Sequence, residues 1–218
     1  MIDFPGTLIV VDGMDGAGKG TLLNALQQRI AHRKHLVATE PTFRFVGSVI
    51  REELIANHSG FAYSGKTVAT AFALDRDMLY SRMILPYLAE HPDSVVLQDR
   101  GLITSLAYQP LQDAEVTIEW LLSLHGNQVE LSRPPDALVI LHLDPEVARQ
   151  RLLARRDKND KAIFEQIEFM RCVAARYRDP TVVAPYVERG TRVVHVDAER
   201  SMKDVASSTI AQLADLLP

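Results

Sequence analysis

The stretch Gly13-Met14-Asp15-Gly16-Ala17-Gly18-Lys19-Gly20-Thr21 constrains this chain more than any other. It follows directly on an apolar run, Thr7–Asp12, and runs straight into a helical pattern beginning about Lys19. Strand, GxxxxGK loop and helix in that order make a phosphate-binding loop. Glycines let the backbone curl until several N–H groups point at one centre, and the helix N-terminus adds the positive end of its dipole. Lys19 supplies a mobile cation for β- and γ-phosphates. Gly13 through Thr21 are therefore expected to bind ATP, with Lys19 catalytic. A glycine-rich turn without a ligand is the competing reading, and the agreement of strand, spacing, lysine and helix argues against it. The position after the lysine, usually Ser or Thr, is Gly20, and the hydroxyl comes one place later at Thr21. Either Mg²⁺ leans on water and an acid elsewhere, or Thr21 serves the phosphates only.

Four further apolar runs alternate with helical patterns: His35 to Thr39, Ser94 to Gln98, Ala137 to Leu143 and Thr191 to Val196. Continuous β-branched and leucine runs are the mark of parallel strands buried on both faces. The expectation is a P-loop α/β fold, a three-layer α/β/α arrangement on a five-stranded parallel sheet, built as one domain over residues 1–218. Helices are expected about Lys19 to His32, Lys66 to Ala89, after the Asp144-Pro145-Glu146 start, and from Ser201 with Asp204 as capping acid.

No apolar run is long enough to cross a bilayer, and the N-terminus lacks the basic region of a signal peptide. The single cysteine, Cys172, excludes an internal disulfide and fits a reducing, cytoplasmic compartment; its helical surroundings suggest a packing role. The net charge of −4 shows no basic excess, which argues against nucleic acid as a partner. The seven histidines show no metal-ligand spacing.

Three smaller constellations each carry two readings. Asp99-Arg100 closes the third apolar run, where ligands of open α/β sheets bind; it is a surface ion pair, or an acid for Mg²⁺ beside a phosphate-gripping arginine. Phe72 and Arg76 share a helix face at i and i+4, as a core ring beside an extended arginine, or as a base-stacking pair. Arg149, Arg151, Arg155, Arg156, Lys158 and Lys161 crowd one stretch. They form a solvated helix face, or an arginine-bearing lid over about 155–162 that closes on a moving phosphoryl group.

Together these pieces resemble the thymidylate kinase family of P-loop nucleoside monophosphate kinases, from Leu8 to about Tyr177. The family's GxDxxGK loop is similar to Gly13–Lys19, and the resemblance puts Asp15 on the acceptor's sugar hydroxyl. EPGGTxxGxxIR looks like Glu40-Pro41 through Gly47 to Ile50-Arg51. The F-x-x-x-R pair that holds thymine falls on Phe72 and Arg76. DRYxxSxxAYQ resembles Asp99 through Gln109, which implies Arg100 on the acceptor phosphate, Ser105 and Gln109 near the base, and Tyr108 beside the sugar. PDLxLxLD is similar to Pro135-Asp136 through Asp144, and the lid arginine that follows falls on Arg155 with Arg156 beside it. Gly16 stands where some members carry a loop arginine, so the resemblance favours the lid as the source of catalytic arginine. It implies transfer of the ATP γ-phosphate to dTMP, Mg²⁺ held with the help of Asp99, and a homodimer, to which the long helix Lys66–Ala89 could lend an apolar face. Thr42-Phe43, Gly101 and Gly20 depart from the family pattern. The first three lie on the acceptor side and leave dUMP, dCMP or a modified deoxynucleotide as alternative acceptors. Gly20 alone favours a nucleotide-binding regulator.

Overall fold

The computed structural model describes residues 4–55, 63–154 and 167–217. Its strands are β1 (Thr7–Gly13), β2 (His35–Thr39), β3 (Val95–Asp99), β4 (Ala137–His142) and β5 (Arg192–Asp197). They form one five-stranded sheet in the order β2-β3-β1-β4-β5, every pair parallel. This is the expected P-loop α/β/α architecture. All five strands lie within a residue of the apolar runs in the sequence.

The helices are α1 (Lys19–Arg29), α2 (Phe45–Val49), α3 (Gly65–Leu79), α4 (Leu85–Glu90), α5 (Leu102–Gln112), α6 (Ile118–Ser123), α7 (His125–Ser132), α8 (Pro145–Leu153), α9 (Ile167–Arg176), α10 (Pro180–Val187) and α11 (Met202–Gln212). A π-helical turn at Tyr80–Ile84 joins α3 to α4, so the long helix expected from Lys66 to Ala89 is one column with a widened turn. Pro86 has no N–H to give the Arg82 carbonyl, and the wide turn just before it relieves that position. Asp144 caps α8 by accepting the Glu146 and Val147 N–H groups, and Ser201 caps α11 by accepting from Asp204.

The central strand β1 is buried from Leu8 to Gly13. Its side chains alternate between faces. Leu8 and its register partner Val96 pack with Leu79, Tyr80, Ile84 and Leu88 of the α3–α4 column. Ile9, Leu97 and Val139 join the larger core under α1, α5 and α9. At the outer edge, β5 buries Val194 and Val196 and exposes Arg192, His195 and Asp197. A strand at the end of a sheet is covered less completely than its neighbours, so β5 departs from the continuous burial expected of it. Among the described residues, no helix is long and apolar enough to cross a membrane.

Two backbone bonds knit the carboxyl ends of three strands together. Glu40 donates its N–H to the Asp99 carbonyl at 2.9 Å, and Arg100 donates to Val11 at 3.0 Å. The segments leaving β1, β2 and β3 therefore start side by side, as ligand-binding loops of an open parallel sheet do.

Candidate active site

The loop after β1 closes tightly on its neighbours. Gly13 and Gly16 take positive φ, 138° and 86°. A Cβ at Gly13 would lie 2.6 Å from the Leu141 carbonyl oxygen, and one at Gly16 would lie 2.8 Å from that of Ala148. Both the turn and the close approach to β4 and α8 need glycine. Lys19, in the first turn of α1, is almost fully buried and donates Nζ to the Gly13 and Met14 carbonyls at 2.9 and 3.1 Å. Burial and the nearby Arg100 hold its pKa below the usual lysine range, against the pull of Asp15, Asp12 and Asp99. Gly20 and Thr21, on the first turn of α1, are exposed.

Sequence reasoning passed over Asp12, which is fully buried at the end of β1. Its carboxylate accepts the Gly13 N–H at 2.6 Å, the Thr104 hydroxyl at 2.6 Å and the Tyr177 hydroxyl at 2.7 Å. It thereby fastens the phosphate loop to α5 and to the end of α9. The available signal was an acid closing an otherwise apolar strand.

Asp99 closes β3. Burial raises its pKa despite Lys19 and Arg100 nearby, and its Oδ1 is buried without a hydrogen-bond partner. An unsatisfied carboxylate oxygen beside the phosphate loop is chemically suited to a hydrated Mg²⁺. Among the described residues, no three acidic, histidine or cysteine side chains gather as a metal cluster. Such an ion would therefore depend on phosphate oxygens and water, with Asp99 as the protein acid.

Arg100 follows with φ 66°, a left-handed conformation rare for a residue with a side chain. That turn aims its guanidinium back at the loop, where it pairs with Asp15. Burial disfavours its charge, but Asp15, Tyr108, Asp12 and Tyr177 together outweigh this and raise its pKa well above the usual value. Asp15 also lies 3.7 Å from the Lys19 ammonium, so one exposed carboxylate links both predicted phosphate-binding cations. Tyr108, Phe169, Met14 and Asp15 line a small hollow beside this pair, with the two rings 6.0 Å apart. Burial and Asp15 raise the Tyr108 pKa, so that side chain is a neutral phenol at physiological pH.

A second group of predicted site residues gathers where α3 meets α5. Arg76 and Ser105 meet there, Nη2 to Oγ 3.4 Å, and Phe72 lies half-buried one turn before Arg76. Gln109, one turn beyond Ser105, has a buried Oε1 without a partner. Arg76 is 1% exposed, which no reading of an amphipathic helix predicts for an arginine. Its charge is kept by two carboxylates: Glu40 takes Nε and Nη2, and Glu130 from α7 lies 3.1 Å from Nε. Asn127 accepts from Nη1. Gln98 donates to Glu40 at 3.1 Å and accepts from Tyr80 at the same distance. Burial lifts Glu40 to about 8 and raises Glu130, each opposed by Arg76.

The segment after β2 folds over this end. Asp75 of α3 accepts the Thr42 and Gly47 N–H groups and the Thr42 hydroxyl, each at 2.7 Å. Arg51 bonds the Pro41 and Thr42 carbonyls and stacks 3.9 Å over the exposed ring of Phe43. Arg51 thus lies against its own loop, at the rim.

Arg155 and Arg156, with the lid expected over about 155–162, lie outside the described residues. Cys172 corrects the packing role expected of it: its side chain is exposed. Met170, Val173 and Ala174 take the buried face of α9, and a residue two places after Met170 falls on the opposite side.

Residues 11–209 match the protein family described as Thymidylate kinase. A thymidylate kinase of Caldicellulosiruptor saccharolyticus is 30% identical over 97% of this chain and 98% of its own length. A probable thymidylate kinase of Methanocorpusculum labreanum is 29% identical, covering 86% of this chain and 98% of its own. One of Methanococcus vannielii is 32% identical over 78% and 75%.

Proposed function

The chain belongs to the thymidylate kinase family, and we propose that it transfers the γ-phosphate of ATP to dTMP, giving ADP and dTDP. The observation that carries this reading is the Asp15–Arg100 ion pair. It ties the phosphate loop of Lys19 to the carboxyl end of β3, from which α5, the helix of Ser105 and Gln109, starts.

The loop amides and the α1 N-terminus hold the donor phosphates, and Lys19 leaves its carbonyl partners to meet them. Asp15 takes the acceptor's sugar hydroxyl and Arg100 its phosphate, so substrate replaces the ion pair the two side chains make with each other. Asp99 would hold a Mg²⁺ ion through water, and that ion would supply charge neutralisation to the phosphates. Phe72 stacks on the base while Arg76, Ser105 and Gln109 meet its edge, and Tyr108 lies beside the sugar. Arg51 stands at the rim, within reach of the acceptor phosphate. Arg155 and Arg156 supply positive charge to the moving phosphoryl group from a lid that excludes water. No strong general base is required, because phosphoryl transfer relies on alignment and charge stabilisation. The enzyme works as a cytoplasmic homodimer.

A panel of dTMP, dUMP, dCMP and the purine monophosphates, assayed with MgATP by coupled ADP detection, tests the proposal. We expect dTMP to give the highest kcat/KM. A panel in which dTMP ranks below the others removes dTMP as the acceptor, and one with no turnover removes the kinase reading.

A further inference from the structure

The Arg76 cluster holds more acidic side chains than one guanidinium asks for. One carboxylate balances one guanidinium, yet two are present, from two elements distant in sequence. Glu40 leaves the end of β2, and Glu130 comes from α7. Both are buried, Glu130 completely. Glu130 is also the better anchored. Its Oε2 accepts the Leu102 N–H at 3.0 Å, at the start of α5, and its Oε1 accepts the Tyr186 hydroxyl at 2.7 Å. Tyr186 in turn accepts the Ile103 N–H at 2.9 Å. A second buried carboxylate costs desolvation free energy, and an ion pair alone would not justify it. What it adds is geometry. With Glu40 along the Nε–Nη2 edge, Glu130 at Nε and Asn127 at Nη1, the guanidinium has one position and one orientation. Its Nη2 is then directed at Ser105.

We propose that Glu130 is a specificity-determining positioning residue for the acceptor base. By pinning Arg76, it makes the guanidinium aim the Nη2 N–H now directed at Ser105, in one fixed direction, at the base edge. A pyrimidine with a carbonyl at that edge accepts it, whereas one with an exocyclic amino group there sets donor against donor. Discrimination of this kind requires an arginine that cannot turn away from the wrong base. The inference rests on the base pocket of the proposed function and adds to it a residue that touches no substrate.

The test compares the full-length wild type with Glu130→Gln, which keeps the size and removes the charge, using dTMP, dCMP and MgATP. We expect the ratio of kcat/KM for dTMP over dCMP to fall about tenfold, the scale of one altered hydrogen bond. The fall lies in acceptor KM, with the KM for ATP unchanged. Glu130→Asp, which restores the charge one methylene further away, recovers part of the ratio. Should Glu130→Gln not fold, Glu130→Asp is measured against wild type and must show a smaller fall in the same ratio. An unaltered ratio, or equal losses on both acceptors together with a raised KM for ATP, overturns the inference. A wild type that ignores dTMP refutes the proposed function instead. The role of Glu130 is then read from the same ratio taken between the preferred monophosphate and its amino or keto counterpart.

Discussion

Asp75, on α3, accepts the backbone N–H of Gly47 at 2.7 Å, bridging 28 residues of chain. The same carboxylate takes the Thr42 N–H and hydroxyl, so one buried acid holds three donors of the segment that follows β2. Asp75→Ala leaves the Thr42 and Gly47 N–H groups buried without a partner, which costs about 2–4 kcal/mol of stability in total, while the Thr42 hydroxyl keeps the Arg44 carbonyl. We expect the acceptor KM to rise at least tenfold while the KM for ATP stays within about twofold, since the phosphate loop is anchored separately through Asp12. Steady-state kinetics with each substrate varied in turn, alongside urea unfolding, measure both.

Lys19→Ala should lower kcat by orders of magnitude and leave the fold intact. Its ammonium donates to carbonyls of its own loop and pairs with Asp15 there, so removing it takes a partner from no acceptor outside that loop. Because burial already disfavours its charge, the variant should unfold at a urea concentration equal to or above that of wild type. A coupled assay and far-ultraviolet circular dichroism check the two halves. A rate near that of wild type would remove the lysine from the mechanism.

Strands and the phosphate loop were legible because their signals are local. An apolar run such as Leu8–Val11 has one stable destination, and a glycine loop between strand and helix has one geometry. The resemblance to family motifs pointed to Arg76, Ser105 and Gln109, and the structure brings Arg76 and Ser105 within 3.4 Å. Glu130 and Asp12 were not legible. Each draws its role from partners far along the chain, Glu130 from Arg76 and Tyr186, Asp12 from Thr104 and Tyr177. Cys172 misled because a helical stretch was read without its phase: Met170 and Val173 fix which face is buried, and the cysteine lies off it.

The buried carboxylates also set a pH dependence. Burial lifts Glu40 to about 8 from 4.5 in the unfolded chain, with Arg76 opposing and Glu130 and Asp75 adding to the rise. Between those values the folded state binds the extra proton, so stability falls as pH climbs through the window and levels off above it, with a slope up to about 1.4 kcal/mol per pH unit. His142 acts in the opposite sense at lower pH. Burial and its neighbour His195, 2.7 Å away, lower it to about 4 from 6.5, so stability is lost as pH falls through that range. The interval from pH 6.5 to 8 therefore lies above the His142 range and inside that of Glu40. Urea titrations there should show declining stability for wild type and a flatter line for Glu40→Gln. Parallel lines would place the extra proton elsewhere.

Gly101 and Glu130 should prove energetically coupled. The family pattern carries tyrosine after Asp-Arg, and this chain carries glycine with an extended φ of −169°, which any residue can adopt. Space, not backbone strain, therefore limits a side chain: a Cβ there would meet Glu130 Oε1 at 3.2 Å and Gln98 Nε2 at 3.3 Å, and those side chains would have to give way. Gly101→Tyr should destabilise the protein by about 2–3 kcal/mol through overpacking against a fixed carboxylate. Glu130→Ala alone should also destabilise, since it strips partners from Leu102 N–H, Tyr186 and Arg76. In the double variant the ring enters the volume the glutamate has left, and the combined loss should be smaller than the sum of the two by at least about 1 kcal/mol. Urea unfolding of wild type and the three variants closes the cycle. Strict additivity would mean that the glycine and the glutamate do not share that space.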